Sequence, residues 1–253
     1  MEIINLFYRA LSKLIRIFGF SPLFSLDGED AILKKYFCDF KKGNFIDIGS
    51  NEPIKHSNTF YFYLRNWNGI CVDPLPYLKK KYNFYRSRDI FINSGISGNA
   101  KTNNDELTYY FYKKFPDCST FDKKRVSKLK KNFNREPNSI TKISIISVKK
   151  LLKVSNSLFK NDKDIHLLNI DTEGFEYEIC QNFFLEHVFP WVICIEELGY
   201  TAENVTSSKI YNLMKNNDYF LASRTFLSSI YIKKDKLKNF PSPYLKELKK
   251  VFK

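Results

Sequence analysis

Short apolar runs alternate along the chain with stretches of helical spacing, and that alternation predicts an α/β fold around a mainly parallel sheet. Strands are expected from Phe45 to Ile48, over Trp67–Asp73, over Asp89–Ser97, over Thr141–Ser147, over Asp164–Asp171 and over Trp191–Glu197. Helices are expected over Glu29–Phe40 with Asp27 as its cap, over residues 55–65, and over Pro76–Arg86, Val148–Leu158 and Phe175–Glu186. The β-rich run Leu107–Tyr112 follows the polar turn Gly98–Asp105, so it reads as the return strand of a hairpin with the third strand. Residues 113–139, with Pro116, Pro137 and a run of lysines, read as an irregular insert able to close over a crevice. Tyr219–Ser223 and Ser228–Lys233 close the pattern as two strands at one edge, which makes that edge antiparallel.

Composition limits the architecture. With 253 residues and 43% hydrophobic content, the chain buries a full core, and its simplest arrangement is one decorated domain. That domain is expected over residues 27–240, with an insert at about 98–140, an N-terminal helix and linker over 1–26 and a basic tail over 241–253. No stretch approaches the roughly 20 apolar residues needed to span a bilayer. The segment Ile3–Phe18 carries Arg9, Lys13 and Arg16, which a signal-peptide core would not tolerate. Its residues Ile4, Phe7, Leu11, Leu14, Ile15 and Phe18 form one helical stripe. Packing on the domain or joining two copies is the simpler use of such a stripe, and peripheral contact with an anionic membrane is the alternative. Cys38, Cys71, Cys118, Cys180 and Cys194 form no C-x-x-C pair and lie near no histidine at ligand spacing, so neither a disulfide framework nor a zinc site is expected and a cytoplasmic location fits.

The most informative stretch is Asn44-Phe45-Ile46-Asp47-Ile48-Gly49-Ser50-Asn51-Glu52-Pro53, where an apolar strand ends in an acid, a glycine and a polar turn. Ligands of open α/β sheets bind beyond the carboxyl ends of the strands, and glycine there lets a ligand approach the main chain. The second strand ends on Asp73, the position at which an acid holds the hydroxyls of a ribose. After Gly49 the further glycines of a pyrophosphate-binding fingerprint are missing, and Glu52 would repel such an anion. A nucleoside with a positive sulfonium and an amino-acid tail, S-adenosylmethionine, suits this loop better.

These residues also carry a family resemblance. Phe45–Pro53, His56-Ser57-Asn58-Thr59 and Trp67–Pro74, followed by Asp171-Thr172-Glu173-Gly174-Phe175-Glu176, resemble the motifs of the FkbM-type S-adenosylmethionine-dependent methyltransferases over roughly residues 27–233. The resemblance implies a Rossmann-like class I methyltransferase fold, a seven-stranded sheet, S-adenosylmethionine as donor and an oxygen acceptor on a sugar or small metabolite. Glu52-Pro53 stands where many relatives have a second glycine.

The strand tips carry Asp47 with Gly49 and Asn51, Asp73, Asn93 with Ser94, Asp171 with Glu173, and Glu196 with Glu197. Asp47, Gly49, Asn51 and Asp73 are expected at the cofactor, Asn93 and Ser94 at the adenine edge, and Asp171 at the sulfonium or the acceptor hydroxyl. An alcohol is a poor nucleophile and profits from a general base. Glu173 is the first candidate, with His56 and Glu197 behind it.

A formal charge of +14, concentrated in Lys123–Arg135 and in the C-terminal tail, raises nucleic acid as a partner. No separate RNA-binding module is recognisable; a solvated lysine-rich face is the simpler reading of these clusters, and a basic insert beside the crevice also fits the phosphates of a nucleotide-linked sugar or surface-glycan precursor. The expected function is therefore O-methylation of such a sugar. An RNA methyltransferase and a non-catalytic nucleoside-binding module are the competing readings.

Overall fold

The structure, a computed structural model, describes residues 22–98, 105–160 and 162–240, together with residues 6–8, 10, 11, 14 and 250. Most of the N-terminal stripe, most of the turn at Gly98–Asp105 and the basic tail lie outside the described residues.

Seven strands form the main sheet: β1 (Asn44–Ile48), β2 (Asn68–Asp73), β3 (Ile90–Asn93), β7 (Leu167–Ile170), β8 (Val192–Glu196), β9 (Tyr219–Arg224) and β10 (Ser228–Lys233), in the order β3-β2-β1-β7-β8-β10-β9. β1, β2, β3, β7 and β8 pair in parallel, whereas β10 runs antiparallel to both β8 and β9. The antiparallel strand thus lies one place in from the edge, because the tight β9–β10 turn folds β10 back against β8. A smaller sheet holds β4 (Gly95–Ile96), β6 (Ser139–Ile146) and β5 (Glu106–Phe111) in the order β4-β6-β5.

Alternation along each strand sorts side chains between two cores. Phe45, Cys71, Leu167, Val192, Cys194, Ile230 and Ile232 face one side, packed against α1 (Glu29–Tyr36) and α2 (Phe60–Leu64). Ile46, Ile48, Ile70, Val72, Leu168, Ile170, Ile193 and Ile195 face the other, against α5 (Val148–Leu158), α6 (Glu176–Leu185) and α7 (Lys209–Asn216). Each such fully buried aliphatic or aromatic side chain contributes about 1.5–3 kcal/mol. The remaining helices are α3 (Leu78–Tyr85) and α4 (Lys123–Phe133).

Three expectations change. The hairpin partner of β5 is β6, with Glu106 opposite Ser144 and Phe111 opposite Ser139: the chain leaves the main sheet at Ser94, and β4 and β5 both pair with β6 in the smaller sheet. The insert is not irregular: Asp122 accepts from the Lys124 amide at 2.8 Å and caps the 11-residue helix α4, whose buried anchor is Leu129. Asp27 does not cap α1, which starts at Gly28 in a left-handed conformation, φ 85°. Its carboxylate instead accepts from the Leu227 amide at 2.9 Å and ties the start of α1 to the β9–β10 turn.

At the opposite end of the sheet from the strand tips, His166 is buried among Phe40, Trp67 and Trp191. Its Nδ1 accepts from the Asn44 amide at 3.2 Å, so that nitrogen must be unprotonated. Burial lowers its pKa from the ordinary 6.5, against the pull of Asp162 and Asp164. The unfolded chain therefore takes up the proton first: this contribution to stability is complete above 6.5 and is lost as the pH falls through the folded value. Thermal melting between pH 5 and 8 should show a steeper acid-side loss of Tm in the wild type than in His166→Gln, which keeps an acceptor but cannot titrate.

Candidate functional site

A cavity opens beyond the carboxyl ends of β1, β2, β7 and β8, and its shape starts at Gly49. There φ is +77°, and a Cβ would lie 1.6 Å from the carbonyl oxygen of Asp171, so any other residue would force the β1 and β7 tips apart. The amides of Gly49 and Ser50 donate to the Val72 carbonyl at 2.9 and 3.2 Å, and the Asp171 amide donates to the Ile48 carbonyl at 2.9 Å. Asn51 follows in a left-handed conformation and donates its amide to Asp73 Oδ2 at 2.9 Å. The Leu75 amide donates to Asp73 Oδ1 at 2.9 Å. Burial pushes the Asp73 carboxyl up to about 7 against the lowering effect of these two amides. Glu52 pairs with Lys81 at 2.5 Å, which answers its charge.

Asp47 forms the wall beneath this loop. Its Oδ2 accepts from Thr59 at 2.5 Å and its Oδ1 from Asn169 Nδ2 at 2.9 Å, while Asn58 donates to Asn169 Oδ1 at 2.9 Å. Arg86, fully buried, donates to Thr59 Oγ1 at 3.1 Å and to Asp89 at 2.7 Å beneath the faces of Phe45, Tyr63 and Tyr82. Asp47 therefore holds the loop: both oxygens are engaged by protein. Burial raises its pKa, and Arg86, Thr59 and Asn169 oppose that rise.

The far side of the cavity is acidic. Glu176, on the first turn of α6, accepts from the Thr172 amide and hydroxyl and from the Gly174 amide at 2.9–3.0 Å, which folds the Asp171–Phe175 loop onto the helix start. Glu173 is held left-handed at φ 57°, with its carbonyl accepting from Thr120 at 2.7 Å. Oxygens of Asp171, Glu173 and Glu196 all lie within 4.8 Å of one another. Arg125 of α4 pairs with Glu173 and supplies positive charge to this trio. Asp171 opens into the cavity, yet the enclosing protein, then the carboxylates of Glu176 and Glu29, push it up to about 7. Enclosure and the charges of Asp171 and Glu176 raise Glu196 well above the usual carboxylate range. Leu75, Ile96, Tyr109, Phe121 and Phe175 form the apolar wall, with Tyr109 and Phe121 rings 4.7 Å apart.

Asp47, Gly49, Asn51, His56, Asp73, Ser94, Asp171 and Glu173 all line this one cavity. Two expected residues do not. Asn93 is exposed, and its side chain donates to the Asp73 carbonyl at 2.9 Å, bracing the β2 tip from outside. Glu197 is 2% exposed and faces away, accepting from Ser208 and, at 3.0 Å, from Tyr231, with Arg224 at 3.7 Å. It anchors β8 to β10 and α7. Its neighbour Glu196 takes the place in the cavity wall, as strand alternation dictates: Val192, Cys194 and Glu196 share the parity of the face that carries Asn169 and Asp47. Glu29, which begins α1, and Arg125 are the other residues of the site that the sequence reading left unassigned. Ser94 has its hydroxyl committed to the Ser144 carbonyl at 2.8 Å.

Glu197→Ala leaves Arg224, Tyr231 and Ser208 without their carboxylate and should cost about 3–5 kcal/mol, the usual effect of breaking a buried ion pair. Glu196→Gln removes one of three crowded acids and should leave the chemical-denaturation midpoint unchanged or raise it. Urea titration of both variants checks the contrast.

The family model described as the methyltransferase FkbM domain matches residues 47–221. No curated protein gives a match. The matched span runs from the acid of β1 into β9 and holds every cavity-lining strand tip except the start of β10, and on that match the chain belongs to the FkbM methyltransferase family.

Proposed function

We propose that this chain transfers a methyl group from S-adenosylmethionine to a hydroxyl of a sugar, with a nucleotide-activated sugar or surface-glycan precursor as acceptor. The observation that carries the donor assignment is the sign of the cavity. A chain of net charge +14 gathers Glu29, Asp73, Asp171, Glu173 and Glu196 around one space, where a cation is the natural occupant. Ser50 supports it: the residue is 4% exposed, sits in the cavity wall and makes no side-chain hydrogen bond to a described residue, which leaves its hydroxyl for a ligand.

The donor supplies a carbon already activated by its positive sulfur. The chain's own residues position and exclude water. Asp73 offers the lone pairs not used by Asn51 and Leu75 to the ribose hydroxyls, and Leu75, Ile96 and Tyr109 flank the adenine. Asp171 faces the sulfonium. The acceptor oxygen approaches from the side of Glu173 and Glu196, and Glu173 takes its proton. His56, in a left-handed turn at φ 59°, lies in the same wall and contributes to the shape of the acceptor side.

Titration calorimetry should show binding of S-adenosylmethionine and S-adenosylhomocysteine, and Asp73→Ala should abolish both. An ionised Asp171 favours the cationic donor over the neutral product. Because its free pKa is about 7, the ratio of donor to product affinity should rise from pH 6 to 8, by at most about tenfold per pH unit and proton. A ratio independent of pH would remove Asp171 from the sulfonium.

A further inference from the structure

The cation that faces the acid trio belongs to a helix dense in lysine. α4 reads Lys-Lys-Arg-Val-Ser-Lys-Leu-Lys-Lys-Asn-Phe, with no acid inside it, and Lys123, Lys124, Lys128, Lys130 and Lys131 are exposed. The first three side chains stand at the end where the helix dipole is already positive, an unfavourable place for cations. The start of α4 is nevertheless fixed against the cavity. Thr120 donates to the Glu173 carbonyl, a Cβ on Gly174 would lie 3.1 Å from Asp122 Cβ, and Phe121 packs between Tyr109 and Phe175. Arg125 reaches from this helix to Glu173, and its Nε is buried without a hydrogen-bond partner. Its guanidinium thus spends charge on Glu173 and still has a donor to spare.

Building on the donor reading above, we propose that Arg125 is the acceptor-reading residue: a phosphate of the acceptor takes the guanidinium from Glu173, and that exchange frees Glu173 to act as base. A guanidinium fork matches phosphate oxygens at least as well as a single carboxylate, and the lysine face of α4 gathers the remaining negative charge. In the step that follows, the acceptor hydroxyl gives its proton to Glu173, its oxygen forms the bond to the methyl carbon, and the carbon–sulfur electron pair returns to sulfur as a neutral thioether. Donor and acceptor are coupled by charge. The sulfonium and Arg125 compete for the same three carboxylates, so a bound cationic donor weakens the hold on Arg125 and favours phosphate, while the neutral product does not. By linkage, the acceptor equally favours the charged donor.

The test is calorimetric titration of the full chain with inorganic pyrophosphate, alone and with saturating S-adenosylmethionine or S-adenosylhomocysteine, repeated with uridine diphosphate. Pyrophosphate should bind, and more tightly with the sulfonium donor present than with the product. Arg125→Gln should weaken it by about tenfold or more, the size of one charge-assisted hydrogen bond. Lys149→Gln, which removes the same charge from α5, should not. Glu173→Gln should strengthen pyrophosphate binding by releasing Arg125, a gain that misfolding cannot mimic, and the double variant should lose that gain. Equal effects of Arg125→Gln and Lys149→Gln, or no gain in Glu173→Gln, would overturn the proposal. So would single-stranded RNA that depends on Arg125 while pyrophosphate does not bind. If neither adenosyl ligand binds, the donor reading fails by itself, and the titrations without cofactor still decide the role of Arg125.

Discussion

A carboxylate sealed between two adjacent strands is tolerated only when every oxygen is paid back in hydrogen bonds, and Asp47 is the point at which this protein meets that condition. Asn169 reaches it from β7, directly opposite in register, and Thr59 reaches it from the start of α2. Behind Thr59 stands Arg86, itself closed off under three aromatic rings and paired with Asp89. The network fastens the carboxyl halves of β1 and β7 to the start of α2 and, through Arg86 and Asp89, to the segment that enters β3. Gly49 can then pass the Asp171 carbonyl with no side chain between them, and the two loops that frame the cavity are set by the same contact.

The second constraint is charge. The chain carries an excess of 14 positive charges, yet its cavity collects carboxylates whose enclosure, and then whose mutual repulsion, holds Asp171 at about 7 and raises Glu196 well above the usual carboxylate range. Acids so placed are a liability to the empty fold and an asset toward a cation, a common trade at binding sites. Arg125 offsets part of that liability from a helix whose exposed face is mostly lysine. On this reading the protein performs little chemistry of its own. Displacement at an activated methyl carbon needs alignment, dryness and one proton acceptor, and a rigid pair of strand tips beneath an apolar wall supplies the first two.

Much of this was legible in the residues. Phe45–Asp73 and Leu167–Glu176 carry strand length, parity and tip chemistry in local sequence, so the parallel core and most of the cavity wall follow from alternation and the placement of Gly49, Asp73 and Asp171. What local sequence does not carry is pairing between distant segments. Leu107–Tyr112 shows β character, but nothing in it says that β6 and not β3 is its partner. The lysine-rich insert hides a helix because the polar face of α4 is nearly continuous and Leu129 is its buried residue. The choice between Glu196 and Glu197 was open to parity with Val192 and Cys194. Arg125 and Glu29 reach the cavity from elements remote in sequence, and only tertiary structure brings them to Asp171.

The central claim is that the acid-lined space beyond β1, β2 and β7 holds the adenosyl donor. A crystal structure of the full chain with S-adenosylhomocysteine tests it most directly. The account predicts ribose hydroxyls within hydrogen-bond distance of Asp73, the thioether sulfur facing Asp171, and Gly49 against the ligand. A ligand seated elsewhere, or one in this cavity with its ribose away from Asp73, would contradict it.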